Sequence, residues 1–210
     1  MNRSKAEYFD TMATAPWAAH PFRAEDQPKL ARLLMAAALH PGAYVLEPGC
    51  GTGRLTELLA DAVGPTGRVL ALDISAGMAR ACRDRIGERQ NVQVVQAAIE
   101  EYAAAPEAFD VAVCHQVYPH LDDAPSAVAN LVRSLKPGGR LLVVHFANAH
   151  VINEIHRTAA APIQQDRLPP RRDAASIQRG RFERRLVYGR PARLPRPWNP
   201  PDHADSPDGV

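Results

Sequence analysis

The stretch VLEPGCGTG, residues 45–53, decides the fold: three glycines at alternate positions follow an acidic residue. A short apolar run precedes the glycines and a helical apolar pattern follows them, so the stretch predicts a turn from a β-strand into an α-helix. Glycine lets the backbone approach a ligand closely, and the first turn of the next helix offers free N–H groups to an anion. The alternative is a tight turn without a ligand, which rarely places three alternate glycines behind an acid. We therefore predict a ligand-binding loop.

Strands and helices alternate on both sides of this loop. Strand-like apolar runs occupy residues 43–47, 68–72, 92–95, 109–114 and 140–146. Helical apolar patterns lie between most of these runs, and Val151, Ile152 and Ile155 predict a further helix after the last one. Such alternation predicts βαβ units with right-handed crossovers. The predicted fold class is α/β, a Rossmann-like, doubly wound, mostly parallel sheet.

Length and composition favour one globular domain. The chain has 210 residues and a formal net charge of +2, which is too small to indicate a nucleic-acid partner by itself. Its three cysteines are widely spaced and show no zinc-binding pattern, so we expect a reduced protein without a metal site. Residues 1–10 lack the apolar core of a signal peptide, and no apolar run approaches the roughly 20 residues of a membrane-spanning helix. We therefore expect a cytoplasmic protein with no membrane partner.

Composition divides the chain into three parts. Residues 1–28 carry aromatic anchors, among them Tyr8 and Phe9, and predict a cap segment that packs on the body. Residues 29–161 carry the alternating strands and helices, and residues 162–210 form an Arg/Pro-rich tail that we expect to be partly disordered. The only strand-like run of the tail is residues 182–188. Either this unusual end is native, or a shifted reading frame produced it.

Asp73 ends the second predicted strand, downstream of the glycine loop. Nucleotide-binding folds place an acid there, because a carboxylate can accept hydrogen bonds from both ribose hydroxyls. A solvated aspartate at the end of a strand is the alternative. The preceding glycine loop favours the ribose contact.

The loop and three further segments together resemble one known family. The loop spacing is GxGxG behind Glu47, whereas dinucleotide sites have GxGxxG. This spacing resembles motif I of the class I methyltransferases, and the aromatic N-terminal segment is similar to that of their type 11 group. The further segments that resemble this family are VLALDIS at residues 69–75, AAIE at residues 97–100, and FDVAVCHQVYPHLDD at residues 109–123 with LVRSLKPGGRLLVVHF at residues 131–146.

The resemblance implies S-adenosylmethionine as the cofactor. Glu47 would help to hold its cationic methionine end, Asp73 would bind the ribose, and Ile74 would lie beside the adenine. Ala98 stands where many members have aspartate, so backbone alone would hold the adenine amino group. The remaining residues expected to contact the cofactor are Gly49, Cys50, Gly51, Gly53, Met78, Ile99, Cys114 and His115.

The methyl acceptor is expected beyond the carboxyl ends of the strands, at the switch in strand order. The candidates that follow strands 4 and 5 are His115, Tyr118, His120, Asp122, His145, Asn148, Asn153 and His156. A neutral imidazole can remove a proton from an acceptor, and we predict His120 and His145 as catalytic residues. Each histidine has a structural alternative, hydrogen bonding at the edge of the core.

The predicted function is methyl transfer to a small-molecule acceptor. One alternative is a protein that binds the cofactor without turnover, because the usual C-terminal antiparallel hairpin of the family is not recognisable. A further alternative is methylation of RNA or protein, with the basic tail as an electrostatic patch.

Overall fold

A computed structural model describes residues 1–169 and 185–188 of the chain. The helices are α1 (Arg3–Met12), α2 (Pro16–Ala19), α3 (Gln27–Ala37), α4 (Arg54–Val63), α5 (Ala76–Ile86), α6 (Ala124–Ser134), α7 (Ala149–Arg157) and α8 (Ala161–Gln164). The strands are β1 (Tyr44–Pro48), β2 (Arg68–Asp73), β3 (Val92–Gln96), β4 (Phe109–His115), β5 (Leu135–His145) and β6 (Arg185–Tyr188). None of the described helices is long and apolar enough to cross a bilayer.

The strands form one sheet in the order β3-β2-β1-β4-β5-β6, and every neighbouring pair is parallel. From β1 the chain adds β2 and β3 on one side and then returns to add β4 and β5 on the other. The strand order therefore reverses between β1 and β4, which is where open α/β sheets bind ligands. The predicted doubly wound, Rossmann-like fold is confirmed.

Two of the three apolar clusters among the described residues pack helices on opposite faces of the sheet, and a smaller one packs α5 on it. One cluster packs α3 and α4 against the sheet through Leu33, Leu59 and Val113, and the other packs α6 against it through Leu131 and Val143. Side chains of successive strand residues point to opposite faces, so buried parallel strands supply apolar residues to both clusters. The glycine loop is thus anchored on a strand that is buried from both sides.

Among the described residues, the C-terminal part of the sheet does not show the antiparallel hairpin that is usual in the family and that was not recognisable in the sequence. β6 pairs with β5 in parallel, with Leu142 opposite Arg185. The described part of the chain contains no antiparallel strand pair. Residues 170–184 and 189–210, which include most of the predicted tail, lie outside the described residues.

In the second half of the sheet, the predicted start of the last strand is wrong in detail, whereas the helix predicted after it is confirmed. β5 begins at Leu135 rather than at residue 140, because Leu135 already pairs with Phe109 across a register shift. Helix α7 forms, but Val151 and Ile155 are exposed. The buried positions of α7 are Ile152 and His156, because this face packs on the chain that follows α8.

Candidate active site

A cavity of about 580 Å³ lies at the carboxyl ends of β1, β2 and β4, a volume in the range of small-molecule sites. Its walls come from the glycine loop, from the ends of these strands, and from the N-terminal segment. The predicted residues that line it are Glu47, Gly49, Cys50, Gly51, Asp73, Ile74, Met78, Ala98, Ile99, His115, His120 and Asp122. Gly53, Cys114 and His145, which were also predicted, do not line it.

The three glycines of the loop are required for different structural reasons. All three have positive φ angles, +69° at Gly49, +55° at Gly51 and +83° at Gly53. A Cβ at Gly49 would lie 2.3 Å from Cγ2 of Val117, and a Cβ at Gly53 would lie 2.8 Å from Sγ of Cys82. A Cβ at Gly51 would meet no protein atom within 4 Å, and Gly51 lines the cavity. Gly51 therefore leaves room for a ligand, whereas Gly53 packs on α5 and faces away from the cavity.

Glu47 places a buried carboxyl group at the cavity wall. Its side chain accepts a hydrogen bond of 2.7 Å from Oγ1 of Thr56, and the residue is 2% exposed. Burial raises the pKa of Glu47 well above its ordinary value, because the charged carboxylate loses its hydration. A cation in the cavity would restore the stability of this carboxylate. The site therefore fits the ammonium group at the methionine end of S-adenosylmethionine.

Asp73 joins the loop to the start of α5. Its Oδ2 accepts a hydrogen bond of 2.8 Å from Gly51 N, and its Oδ1 accepts one of 2.9 Å from Ser75 N. Burial raises the pKa of Asp73 to about 6, although both hydrogen bonds act in the opposite direction. A carboxylate oxygen can accept more than one hydrogen bond, so each oxygen can still accept from a ribose hydroxyl. The residues beside it, Ile74 and Met78, add apolar lining.

The wall expected to hold the adenine is supported from α6. Ala98 and Ile99 line the cavity and are almost fully buried. The side-chain amide of Asn130 donates to the carbonyl oxygens of Ile99 and Glu100, at 3.1 Å and 2.9 Å. Because this amide binds backbone carbonyl groups, it holds the short segment after β3 at the cavity wall whatever side chains that segment carries.

The N-terminal segment lines the cavity, and three of the residues that hold it were missed by the sequence reasoning. Thr52 donates to the carbonyl oxygen of Ala18, and Arg85 donates to that of Ala19 at 2.6 Å. The guanidinium of Arg54 donates to the Trp17 carbonyl oxygen. Thr52 lies within the glycine loop and Arg54 directly follows it, positions that could have drawn attention to them.

Helix α1 is fixed at both ends across the opening. Near its start, Nζ of Lys5 lies 2.7 Å from Asp166 Oδ1 and 2.9 Å from Asp122 Oδ1. Near its end, Asp10 accepts hydrogen bonds from Ser75 Oγ at 2.6 Å and from Gly77 N at 2.7 Å. These contacts join the helix to segments that follow β2 and β4, beside the cavity that Phe9 of this helix lines.

His120, a predicted catalytic residue, lies in the short 3₁₀ turn after β4 and lines the cavity. Its Nδ1 is 2.7 Å from Oδ2 of Asp166, and its ring packs edge-on against Phe9 at 5.1 Å between centroids. Asp166 gave no signal in the sequence, because it follows α8 and is 46 residues from His120. Only the fold brings the two together.

His145, the other predicted catalytic residue, is a buried residue at the end of β5 that does not line the cavity. Burial lowers the pKa of His145 to about 3, because the charged imidazolium would be desolvated. The structure thus gives this ring no access to a substrate in the cavity. Cys114 is also turned away, because the alternation along β4 directs it into the cluster around α6 and its neighbour His115 toward the cavity.

His115 reaches the cavity between two aromatic rings. Its centroid lies 4.6 Å from that of Phe146 and 5.8 Å from that of Phe22. Burial lowers the pKa of His115 to about 4, so its ring is neutral at physiological pH. Its buried Nε2 finds no hydrogen-bond partner in the part of the chain that the structure describes. His115 can therefore contribute a neutral, flat wall with one free nitrogen.

The other acceptor candidates have structural contacts and do not line the cavity. Asn148 caps α7 by accepting from Val151 N at 3.0 Å. Asn153 exchanges two hydrogen bonds with the backbone of Leu168, and His156 Nδ1 lies 3.1 Å from the Asp166 carbonyl oxygen. Tyr118 packs beside the cluster under α6. Among the described residues no cluster of three or more potential metal ligands occurs.

The strand order and the glycine loop are similar to those of class I S-adenosylmethionine-dependent methyltransferase domains. Residues 46–143 match the family model of the type 11 group, described as a methyltransferase domain. The recognition made from the loop and the three further segments is confirmed.

The similarity to relatives with named activities covers only part of the length of each relative. The ubiquinone/menaquinone biosynthesis C-methyltransferase UbiE of Ectopseudomonas mendocina is 40% identical over 114 residues, which are 53% of this chain and 44% of that protein. UbiE of Vibrio campbellii is 38% identical over 110 residues, 51% of this chain and 42% of that protein. The chain thus spans less than half the length of these relatives.

Solved structures share the fold at low identity. A SAM-dependent methyltransferase from Aquifex aeolicus is 18% identical, with a TM-score of 0.59 over 84% of this chain and 86% of that one. The [4+2]-cyclase SpnF is 20% identical, with a TM-score of 0.55 over 64% of this chain and 56% of that one. Since a protein described as a cyclase has this fold too, the fold alone does not fix the reaction.

Proposed function

We propose that the chain binds S-adenosylmethionine in the cavity and transfers its methyl group to a carbon atom of a small aromatic acceptor of the quinol type. The observation that carries the cofactor is the buried Glu47 carboxylate beside Gly51, whose missing side chain leaves the cavity open. The name of the UbiE relatives, C-methyltransferases of ubiquinone and menaquinone biosynthesis, supports the acceptor.

The residues that would hold the cofactor lie on consecutive strand ends. Glu47 would pair with the ammonium group, and Asp73 would accept from the ribose hydroxyls. The segment of Ala98 and Ile99 would provide an apolar wall for the adenine, and Met78 would close its edge. These are the roles predicted from the sequence, and they remain proposals.

The acceptor would lie against the aromatic and imidazole rings of the lining. Phe9, Trp17, Phe22, His115 and His120 all line it. Flat rings pack well against a flat acceptor, and edge-on or offset contacts between rings are favourable. A quinol ring also carries O–H groups, which gives a base in this wall a proton to remove.

When bound, S-adenosylmethionine supplies a methyl group on a sulfonium: the methyl–sulfur bond breaks, its electron pair stays on sulfur, and the acceptor loses one proton. His120 would take the acceptor's O–H proton on the ring nitrogen that does not face Asp166, which raises the electron density of the ring carbon that forms the new bond. The C–H bond at that carbon then breaks, and its proton returns to the oxygen as the ring regains aromaticity, so the net loss is the one proton held by His120. Helices α1 and α2 would exclude water, and the aromatic wall would align the ring with the methyl group.

The test is turnover of a defined probe. The purified full chain is incubated with S-adenosylmethionine and 1,4-naphthoquinol under reducing conditions, and the methylated naphthoquinol and S-adenosylhomocysteine are measured by mass spectrometry. We expect the wild type to form one methylated naphthoquinol for each S-adenosylhomocysteine. Asp61→Asn, a surface control that loses its ion pair with Arg89, should do the same. Asp73→Ala should form neither. Cofactor binding without any turnover would contradict the proposal and favour the alternative of a non-catalytic cofactor-binding protein.

A further inference from the structure

Asp166 lies between an imidazole and an ammonium group next to the cavity. Its Oδ2 faces Nδ1 of His120 at 2.7 Å, and its Oδ1 faces Nζ of Lys5 at 2.7 Å. All three side chains are largely buried, with Asp166 8% and Lys5 6% exposed. The carboxylate therefore joins the turn that carries His120 to helix α1.

The position of Asp166 is fixed independently of this carboxylate. Its carbonyl oxygen lies 3.1 Å from Nδ1 of His156, and Leu168 exchanges two hydrogen bonds with the side chain of Asn153, at 2.7 Å and 3.1 Å. Helix α7 thus holds the segment after α8 by hydrogen bonds in which His120 takes no part, although the His156 ring also packs against the His120 ring at 4.8 Å between centroids. A carboxylate on so firmly held a backbone can orient a neighbouring ring.

The charge on Asp166 determines which nitrogen of His120 carries the proton. Burial pushes the pKa of Asp166 upward, but hydrogen bonds from His120 and Lys5 outweigh burial and leave the pKa below its ordinary value. An ionised carboxylate only accepts hydrogen bonds, so Nδ1 of His120 must donate. In a neutral imidazole the proton on Nδ1 leaves a lone pair on Nε2.

We propose that Asp166 is a positioning residue that holds His120 in the tautomer with a proton on Nδ1, so that Nε2 is the proton acceptor at the cavity. The role of Nε2 rests on the proposed function. In the step itself the acceptor O–H bond breaks, an N–H bond forms at Nε2, and the resulting imidazolium is paired with the Asp166 carboxylate. Nothing in the chain between Val117 and Asp166 signals this pairing, since it depends on the packing of α7 and α8.

The tautomer can be read directly by NMR. The full chain is labelled with ¹⁵N-histidine, and long-range ¹H–¹⁵N correlations are recorded at a pH of about 8.5, above the ordinary range of an imidazole pKa. We expect the Nδ1–H tautomer for His120 in the wild type, assigned by the absence of its signals in His120→Gln. In Asp166→Asn the amide can donate to Nδ1, so we expect a shift toward the Nε2–H tautomer.

His156 serves as an internal control for folding. Its Nδ1 faces a backbone carbonyl oxygen, which the Asp166→Asn change leaves in place, so its Nδ1–H signal should persist in the variant. Asp61→Asn is the matched surface control and should match the wild type throughout. If the His156 signal also changes in Asp166→Asn, the variant has lost its native packing. The His120 tautomer in the wild-type spectrum then tests the proposal alone. An Nε2–H tautomer of His120 in the wild type, or an unchanged tautomer in a folded variant, would overturn the proposal.

A kinetic measurement separates positioning from structure. In the naphthoquinol assay, we expect Asp166→Asn to lower kcat by about 100-fold or more, with little change in the KM for S-adenosylmethionine. A rise in KM with unchanged kcat would mean that Asp166 only supports the fold. If the wild type fails to bind the cofactor, the proposed function fails, while the NMR result still decides whether Asp166 sets the tautomer.

Discussion

Adding one methyl group at Gly51 should weaken cofactor binding without a matching loss of stability. The Gly51→Ala change forces an alanine to adopt a φ of +55°, which costs about 1–2 kcal/mol of folding free energy. For a domain of this size each kcal/mol corresponds to about 2–4 °C in Tm. The new Cβ meets no protein atom within 4 Å, so the folded protein without ligand suffers no clash.

The bound cofactor would meet this methyl group. Overpacking by one methyl group costs about 1–3 kcal/mol, which corresponds to a loss of about 5- to 150-fold in affinity. Gly138→Ala is the matched control, because Gly138 has a φ of +80°, an equally open Cβ position, and no contact with the cavity. It should show a similar fall in Tm and unchanged binding. Gly49→Ala, by contrast, should lose both stability and binding, because its Cβ would clash with Val117.

The assay pairs thermal unfolding of the ligand-free proteins with calorimetric titration of S-adenosylhomocysteine. We expect Gly51→Ala and Gly138→Ala to differ in affinity for S-adenosylhomocysteine but not in Tm. If the two variants bind S-adenosylhomocysteine equally well, Gly51 does not face the cofactor, and the placement of the cofactor on this loop is refuted.

Three other perturbations follow from the buried contacts. Because the pKa of Asp73 is raised from 3.8 to about 6, its contribution to stability is greatest below pH 3.8 and is lost as pH rises through 6. Urea unfolding should therefore show that the wild type loses ~3 kcal/mol of unfolding free energy relative to Asp73→Asn between these two pH values. Parallel pH profiles of the two proteins would contradict this. Lys5→Met leaves the buried Asp166 carboxylate without its cation and should cost about 3–5 kcal/mol in the same unfolding assay; a loss below 1 kcal/mol would contradict a buried ion pair. Asn153→Leu removes both hydrogen bonds to Leu168 and should speed exchange of the Leu168 amide, whereas unchanged protection would mean that α7 does not hold this segment.

Features that depend on nearby residues could be predicted from the sequence. The glycine loop, the strand before it and the helix after it are set by backbone geometry within residues 44–63, so their pattern is visible along the chain. Asp73 follows the same logic, because the end of a buried parallel strand is a fixed place in the fold. The order and direction of β1 to β5 then follow from the right-handed crossovers.

Features that depend on distant contacts could not be predicted. Strand ends could be located, but not the direction of each side chain there, so His145 and His120 looked equivalent although only His120 lines the cavity. The partners of His120, Lys5 and Asp166, come from opposite ends of the described chain. Asp166 lies in a stretch whose composition suggested a tail, and only its packing on α7 reveals its place.

The central claim is that the loop of Glu47 and Gly51 binds an S-adenosyl cofactor and not a dinucleotide. Calorimetric titration of the purified chain with S-adenosylhomocysteine, and in parallel with NAD, tests it most directly. The account predicts saturable binding of S-adenosylhomocysteine at one site per chain, abolished by Asp73→Ala, and no binding of NAD. Binding of NAD, or no binding of S-adenosylhomocysteine by the folded wild type, would contradict it.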